Sequence, residues 1–258
     1  MKITLRTYLI LPAISLLLFS CLEERNKIED DPFLGKPGAR MSVGQSGNFI
    51  LSDERFTRLN IEIAYMTGTR PTQEMVDNMV GFLQEMVHKP EGIFIVEKAI
   101  TNLDQETYSV EDIRGLEEEH REFYNEGNSL SFFLLVVDGY LFRDEEESMA
   151  LGAAYQNTSM VLFGKRIEEN SGGFSRPSKG VLESTVVLHE MGHLLGLVNL
   201  GSEMEEPHED ESYESHCDNS DCLMYWAVET GNVVNFMGTT IPSLDQKCRN
   251  DLMANGGR

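Results

Sequence analysis

Apolar and polar positions divide the chain into recognisable elements. Arg55 to Met66 (RFTRLNIEIAYM) is rich in β-branched and apolar residues and predicts a strand. From Thr72 to Val87, apolar residues recur at Met75, Val76, Met79, Phe82, Leu83 and Met86, a helical period that follows Pro71. Ile93 to Val96 predicts a short buried strand, and Val110 to Tyr124 a second, strongly acidic helix. Leu130 to Val137 (LSFFLLVV) is the most apolar run beyond the N-terminus and predicts a central strand. Leu151 to Tyr155 and Met160 to Phe163 predict a pair of short strands joined by a turn at Asn157. A Gly/Ser/Pro-rich stretch, Ser171 to Gly180, leads into a long helix from about Pro177 to Leu195, and a last helix is expected over Pro242 to Asn255. Strand, helix, strand, helix, strands, helix is the order of an α/β layer with its active helix last.

The N-terminus has a different pattern. Lys2 and Arg6 precede an apolar run from Tyr8 to Phe19, too short for a transmembrane helix and of the length of an export-signal core. The sequence Leu18-Phe19-Ser20-Cys21 resembles a bacterial lipobox, which makes Cys21 the lipidated first residue after cleavage. Residues 1–20 are therefore expected to be a lipoprotein signal peptide. Residues 21–48, polar and broken by glycine and proline, are expected to be a flexible tether. A single domain is expected over 49–258, with an N-terminal subdomain over 49–196 and a C-terminal one over 197–258.

Composition narrows the functional classes. Hydrophobic residues make up 41%, which excludes a wholly disordered or fibrous chain. Asp and Glu number 43 against 21 Lys and Arg, a net charge of -22, and no basic stripe is present to hold a phosphate backbone. Nucleic acid is excluded as the main partner on this ground. Four cysteines, Cys21, Cys217, Cys222 and Cys248, are too few for a disulfide scaffold.

The chemistry lies in the long helix. His189-Glu190-Met191-Gly192-His193 places two imidazoles one helical turn apart on one face, where both can bind one metal. Glu190 projects beside them, within reach of a water activated there. Leu188, Leu194 and Leu195 mark the helix as buried, and Gly192 and Gly196 are costly there unless the backbone must approach something or stop.

With Gly196 the motif reads HExxHxxG and resembles the metzincin zinc endopeptidases, in which a third ligand follows three residues later. That position is Asn199, a neutral amide and a poor zinc ligand. Further on stands His216-Cys217-Asp218-Asn219-Ser220-Asp221-Cys222-Leu223-Met224, which is similar to the HCx4CxM of the archaemetzincin branch. The resemblance implies an insertion between the glycine turn and His216, with His216 as third zinc ligand, Asn199 and His208 as alternatives, and Met224 as the Met-turn residue. It also implies a metzincin-like zincin fold: a mixed twisted sheet, an active-site helix, and a small, mostly irregular C-terminal subdomain ending in a helix. Archaemetzincins complete a second, structural zinc site with a further CxxC, which this chain lacks. A disulfide among Cys217, Cys222 and Cys248 is expected instead in an exported protein, with all three pairings open.

The insertion from Gly201 to Ser215 holds seven acidic residues and no Lys or Arg, a solvated loop with calcium binding as the sharper alternative. The function expected is a Zn2+-dependent peptidase with Glu190 as general base, acting on a peptide or protein substrate as a lipid-anchored monomer on the periplasmic or outer face of a bacterial outer membrane. The competing expectation is a catalytically degenerate surface lipoprotein serving as a binding module, for which Asn199 is the support.

Overall fold

Alternate residues of the central strands face two separate cores, and this sets the architecture. A computed structural model describes residues 31–142, 149–173, 176–230 and 240–258. Two short helices, α1 (Gly35–Ala39) and α2 (Gly47–Leu51), precede β1 (Arg58–Met66), α3 (Gln73–Met86) and β2 (Ile93–Ile100). Then come β3 (Thr107–Tyr108), α4 (Val110–His120), β4 (Ser129–Val137), β5 (Tyr140–Leu141), β6 (Gly152–Gln156) and β7 (Ser159–Phe163). The chain continues through α5 (Gly164–Asn170), α6 (Lys179–Leu194), a 3-10 turn at Trp226–Glu229 and α7 (Gln246–Ala254).

The main sheet has the order β2-β1-β4-β7-β6. The first four strands are parallel, and β6 closes one side antiparallel to β7. On β4, Leu130, Phe132, Leu134 and Val136 pack into the core that holds α3 and α6, while Phe133, Leu135 and Val137 face the core under α4. Both faces are covered, which is why the strand reads as a continuous apolar run. The mixed sheet with a buried helix across it is the α/β arrangement that the resemblance implied.

Helix starts follow local capping. The Thr72 hydroxyl accepts from the Met75 N–H at 3.2 Å and donates to Glu183 of α6 at 2.7 Å, so one cap also docks α3 on α6. Ser109 and Asp112 form a reciprocal box at the start of α4, and Ser178 accepts from Val181 N–H at the start of α6.

Two expectations need correction, and one element has no sequence signal. Ile93–Val96 is not a short buried strand: β2 runs to Ile100 on the sheet edge and leaves Phe94 and Val96 42% and 43% exposed. Helix α5, with a single buried apolar residue, Ile167, had no periodicity to announce it. The tether is the largest revision. Its described part, 31–48, packs on the domain. Gly35 N–H donates to Asn125 O at 2.8 Å, and Asn157 accepts from Ser46 N–H while donating to Gly38 O, each at 2.9 Å. Gly44 has φ +78, and a Cβ there would lie 2.1 Å from Leu200 O, so this glycine serves close approach rather than flexibility. The signal peptide and Cys21 lie outside the described residues, and among the described residues no helix is long and apolar enough to cross a membrane.

Candidate metal centre

Helix α6 is buried along its whole motif, with His189, Glu190 and His193 at most 6% exposed. Spacing of one turn brings the Nε2 atoms of His189 and His193 to 3.1 Å. The chain leaves the helix through Gly196 at φ +86, with Val198 and Asn199 also in the left-handed region, and returns after the insertion to place His216 beside them. The His216 ring stacks on His189 at 5.3 Å and meets His193 edge-on at 5.1 Å.

Tautomers follow from the partners. The Nδ1 of His189 lies 2.7 Å from Leu223 O and that of His216 lies 2.9 Å from Glu214 O. A carbonyl only accepts, so each Nδ1 carries the proton and each Nε2 presents a lone pair to the centre. Burial above all holds His189 neutral, down to about 4, and pushes His193 well below its ordinary range, with the neighbouring imidazoles adding to it. Buried His216 Nε2 and Glu190 Oε1 have no hydrogen-bond partner within the protein. Burial works to lower His216 as well, but the Glu229 contact raises it; the converging imidazole nitrogens are of the kind that can hold a zinc ion.

Glu190 Oε2 accepts the Ala154 N–H of β6 at 2.6 Å, which fixes the carboxylate against the edge strand. Burial raises its carboxyl well above the usual range, the nearby Glu229 charge raises it further, and the Ala154 bond opposes both. Glu229 itself completes the group: its carboxylate and the three imidazoles have donor atoms all within 4.8 Å of one another. Burial works to raise the Glu229 carboxyl, yet the His216 contact and the charge of the neighbouring imidazoles hold it below its ordinary value. No motif spacing announced Glu229; the 3-10 turn alone brings it there.

Met224 is fully buried under the helix, and a Cβ at Gly192 would lie 2.3 Å from its sulfur. Gly192→Ala is therefore expected to cost about 1–3 kcal/mol by overpacking, read as a lowered melting temperature. Asn199 does not join the donor group: its amide donates to Glu209 at 2.7 Å.

His208 lies elsewhere, in a second group with Cys217, Cys248 and Asp245. Its Nδ1 is 3.4 Å from Cys217 Sγ and 3.8 Å from Cys248 Sγ, and its Nε2 is 2.7 Å from Asp251. Cys222 adjoins at 3.6 Å from Cys248 Sγ and accepts from Met224 and Asp245 N–H, each at 3.4 Å. Donation from the other two thiols outweighs burial and holds the Cys222 thiol below its ordinary value. The three cysteines are free, so none of the expected pairings forms: Cys217 and Cys248 share a donor group with His208 and Asp245 instead. Calcium finds no site either, since among the described residues the insertion's carboxylates converge on no common point. Glu209 and Asp210 instead accept backbone N–H groups of Ser215, Ser212 and Tyr213, which shape the loop.

No protein-family model matches the chain, and no curated protein matches it by sequence. Its structure is similar to that of archaemetzincin from Methanopyrus kandleri, with a TM-score of 0.51 at 16% identity, covering 78% of this chain and 97% of that one. A zinc-dependent peptidase from Methanocorpusculum labreanum is similar at a TM-score of 0.48 and 16% identity, over 74% of this chain and 99% of that one. The chain has an archaemetzincin-like fold.

Proposed function

We propose that the chain is a zinc-dependent peptidase with His189, His193 and His216 as its metal ligands. The observation that carries this reading is the convergence of three imidazoles beside a buried helix carboxylate that is held against the edge strand. Zinc bound there supplies Lewis acidity and brings a water's pKa to about 7. Glu190 takes the proton from the attacking water and returns it to the leaving amine. Among the described residues strand β6 pairs along its length with β7 alone, and an extended peptide adding to its other side comes to lie beside Glu190, because Ala154 N–H already reaches that carboxylate. Burial of the helix excludes bulk water from the proton's path.

The same reading extends to the second group. Cys217, Cys248 and His208 fit three ligands of a structural zinc, with Asp245 in the same group and Cys222 adjoining Cys248, and Asp251 holds the His208 Nε2 proton so that Nδ1 faces the sulfurs. His208 thus stands where a fourth cysteine was missing, and two zinc ions per chain are expected. The alternative of a degenerate binding module rests on Asn199, and the proximity of His216 to His189 and His193 favours the peptidase reading over it. Export and lipidation at Cys21 belong to the proposal on the strength of the N-terminal pattern alone.

The test is metal content and peptide hydrolysis for His216→Ala beside Asn199→Ala. His216→Ala is expected to weaken zinc at the first centre beyond the roughly 10- to 100-fold cost of losing a ligand's hydrogen-bonding neighbour. Asn199→Ala is expected to leave it intact. Zinc lost only with Asn199→Ala would overturn the ligand set, and a wild-type chain without zinc would overturn the function.

A further inference from the structure

We infer that Glu229 is a fourth protein ligand of the catalytic metal and closes the resting centre until a bound peptide displaces it. The inference rests on the zinc-peptidase reading and adds to it a built-in latency device. Donor atoms around a four-coordinate zinc sit roughly 3.4 Å apart, given bonds near 2.1 Å. The Glu229 carboxylate and the three imidazoles, all within 4.8 Å of one another, need only small side-chain rotations to reach that spacing. Glu229 Oε1 is 3.5 Å from His216 Nε2, a buried nitrogen otherwise without a partner. Glu190 is held by the Ala154 N–H, which leaves Glu229 as the carboxylate of the donor group.

Main-chain ties fix the position of Glu229. Leu151 N–H donates to Glu229 O at 2.8 Å, and Ala150 and Thr230 form an antiparallel bridge. Residues 229–230 therefore run beside the start of β6, in the lane that a peptide added on the side away from β7 would continue. A peptide carbonyl arriving at the metal meets Glu229 there, and the two compete for one coordination position. The Glu229 side chain is 34% exposed, which gives it room to withdraw. A structural zinc keeps four protein ligands and a catalytic one keeps an open position. A displaceable fourth ligand lets this centre pass from the first state to the second.

The test uses the full chain with cobalt(II) in place of zinc, comparing wild type, Glu229→Ala and Glu229→Gln by visible spectroscopy and chelator competition. The main-chain ties survive both substitutions. In Glu229→Ala the d–d bands are expected to change, added acetate to restore them, and affinity at this centre to fall at least about tenfold. The wild-type bands are expected to ignore acetate. On a Glu190→Gln background, where peptide is not consumed, saturating peptide is expected to shift the bands toward those of Glu229→Ala. Bands and affinity unchanged in both variants would overturn the ligand assignment, and bands unmoved by peptide would overturn the displacement. Failure of the underlying reading looks different: wild type would then bind no cobalt that His189→Ala removes.

Discussion

Glu190→Gln is expected to lower kcat/KM for peptide hydrolysis by roughly 10²- to 10⁴-fold while leaving the zinc content unchanged. Glutamine keeps the size of the side chain, and its amide oxygen can still accept the Ala154 N–H. It cannot take a proton. Because the residue is about 1% exposed, no bulk water stands in for the lost base, and the helix that carries His189 and His193 has no reason to shift. Parallel measurement of zinc content and initial rates separates the chemical defect from a folding one. Full activity with zinc retained would mean that another group, with Glu229 first in line by position, receives the proton.

His208→Ala is expected to remove one of two zinc ions and lower the melting temperature by on the order of 10 °C. His208 Nε2 and Asp251 Oδ2 lie 2.7 Å apart with both side chains completely buried, and the pair is ionic when the imidazole is protonated. Removing one partner leaves a carboxylate charge stranded, at about 3–5 kcal/mol, and each kcal/mol is worth roughly 2–4 °C in a domain of this size. Asp251 also accepts the Glu205 N–H at 2.8 Å, so the loss spreads into the insertion. The metal-free chain carries a pH signature of the same pair. There the His208 imidazole is raised to about 9, first by Cys217 and, against burial, by Asp251. A raised imidazole stabilises the fold fully below its ordinary 6.5, and that stabilisation drains away as the pH rises through about 9. Zinc takes the place of the Nδ1 proton, so the loaded chain is expected to lose this alkaline sensitivity. Thermal melts between pH 7 and 9.5, with and without zinc, check both statements; equal alkaline loss in the two would sink the ligand assignment.

Much of this was legible before any coordinates. The run Leu130 to Val137 marks the sheet centre because alternate residues feed two cores, and the helix carrying the first two histidines follows from spacing alone. His216 was readable through its neighbours Cys217, Cys222 and Met224. Glycine misled from 31 to 48, because a glycine that admits a carbonyl looks in sequence like one that confers flexibility, as Gly44 does. His208 stood among the alternatives for the first centre, since nothing in the order of residues reveals that it meets Cys248, forty positions on, instead. Glu229 belongs to no motif, and only the turn that carries it gives it a role.

His216 and Cys217 are consecutive residues that serve different metal groups. Cys217 N–H donates to Met224 O at 2.8 Å and Cys222 N–H to Asn219 O at 3.0 Å, so an insertion or deletion within 216–224 would break the turn that holds these residues in both groups. The Leu223 carbonyl that orients His189 lies in the same stretch. The loop in front of His216 is constrained at His208, which belongs to the second group, and at Glu205, whose N–H donates to Asp251. Length changes ahead of the third histidine are thus confined to the stretches on either side of His208, while the nine residues that begin with His216 serve both groups at once.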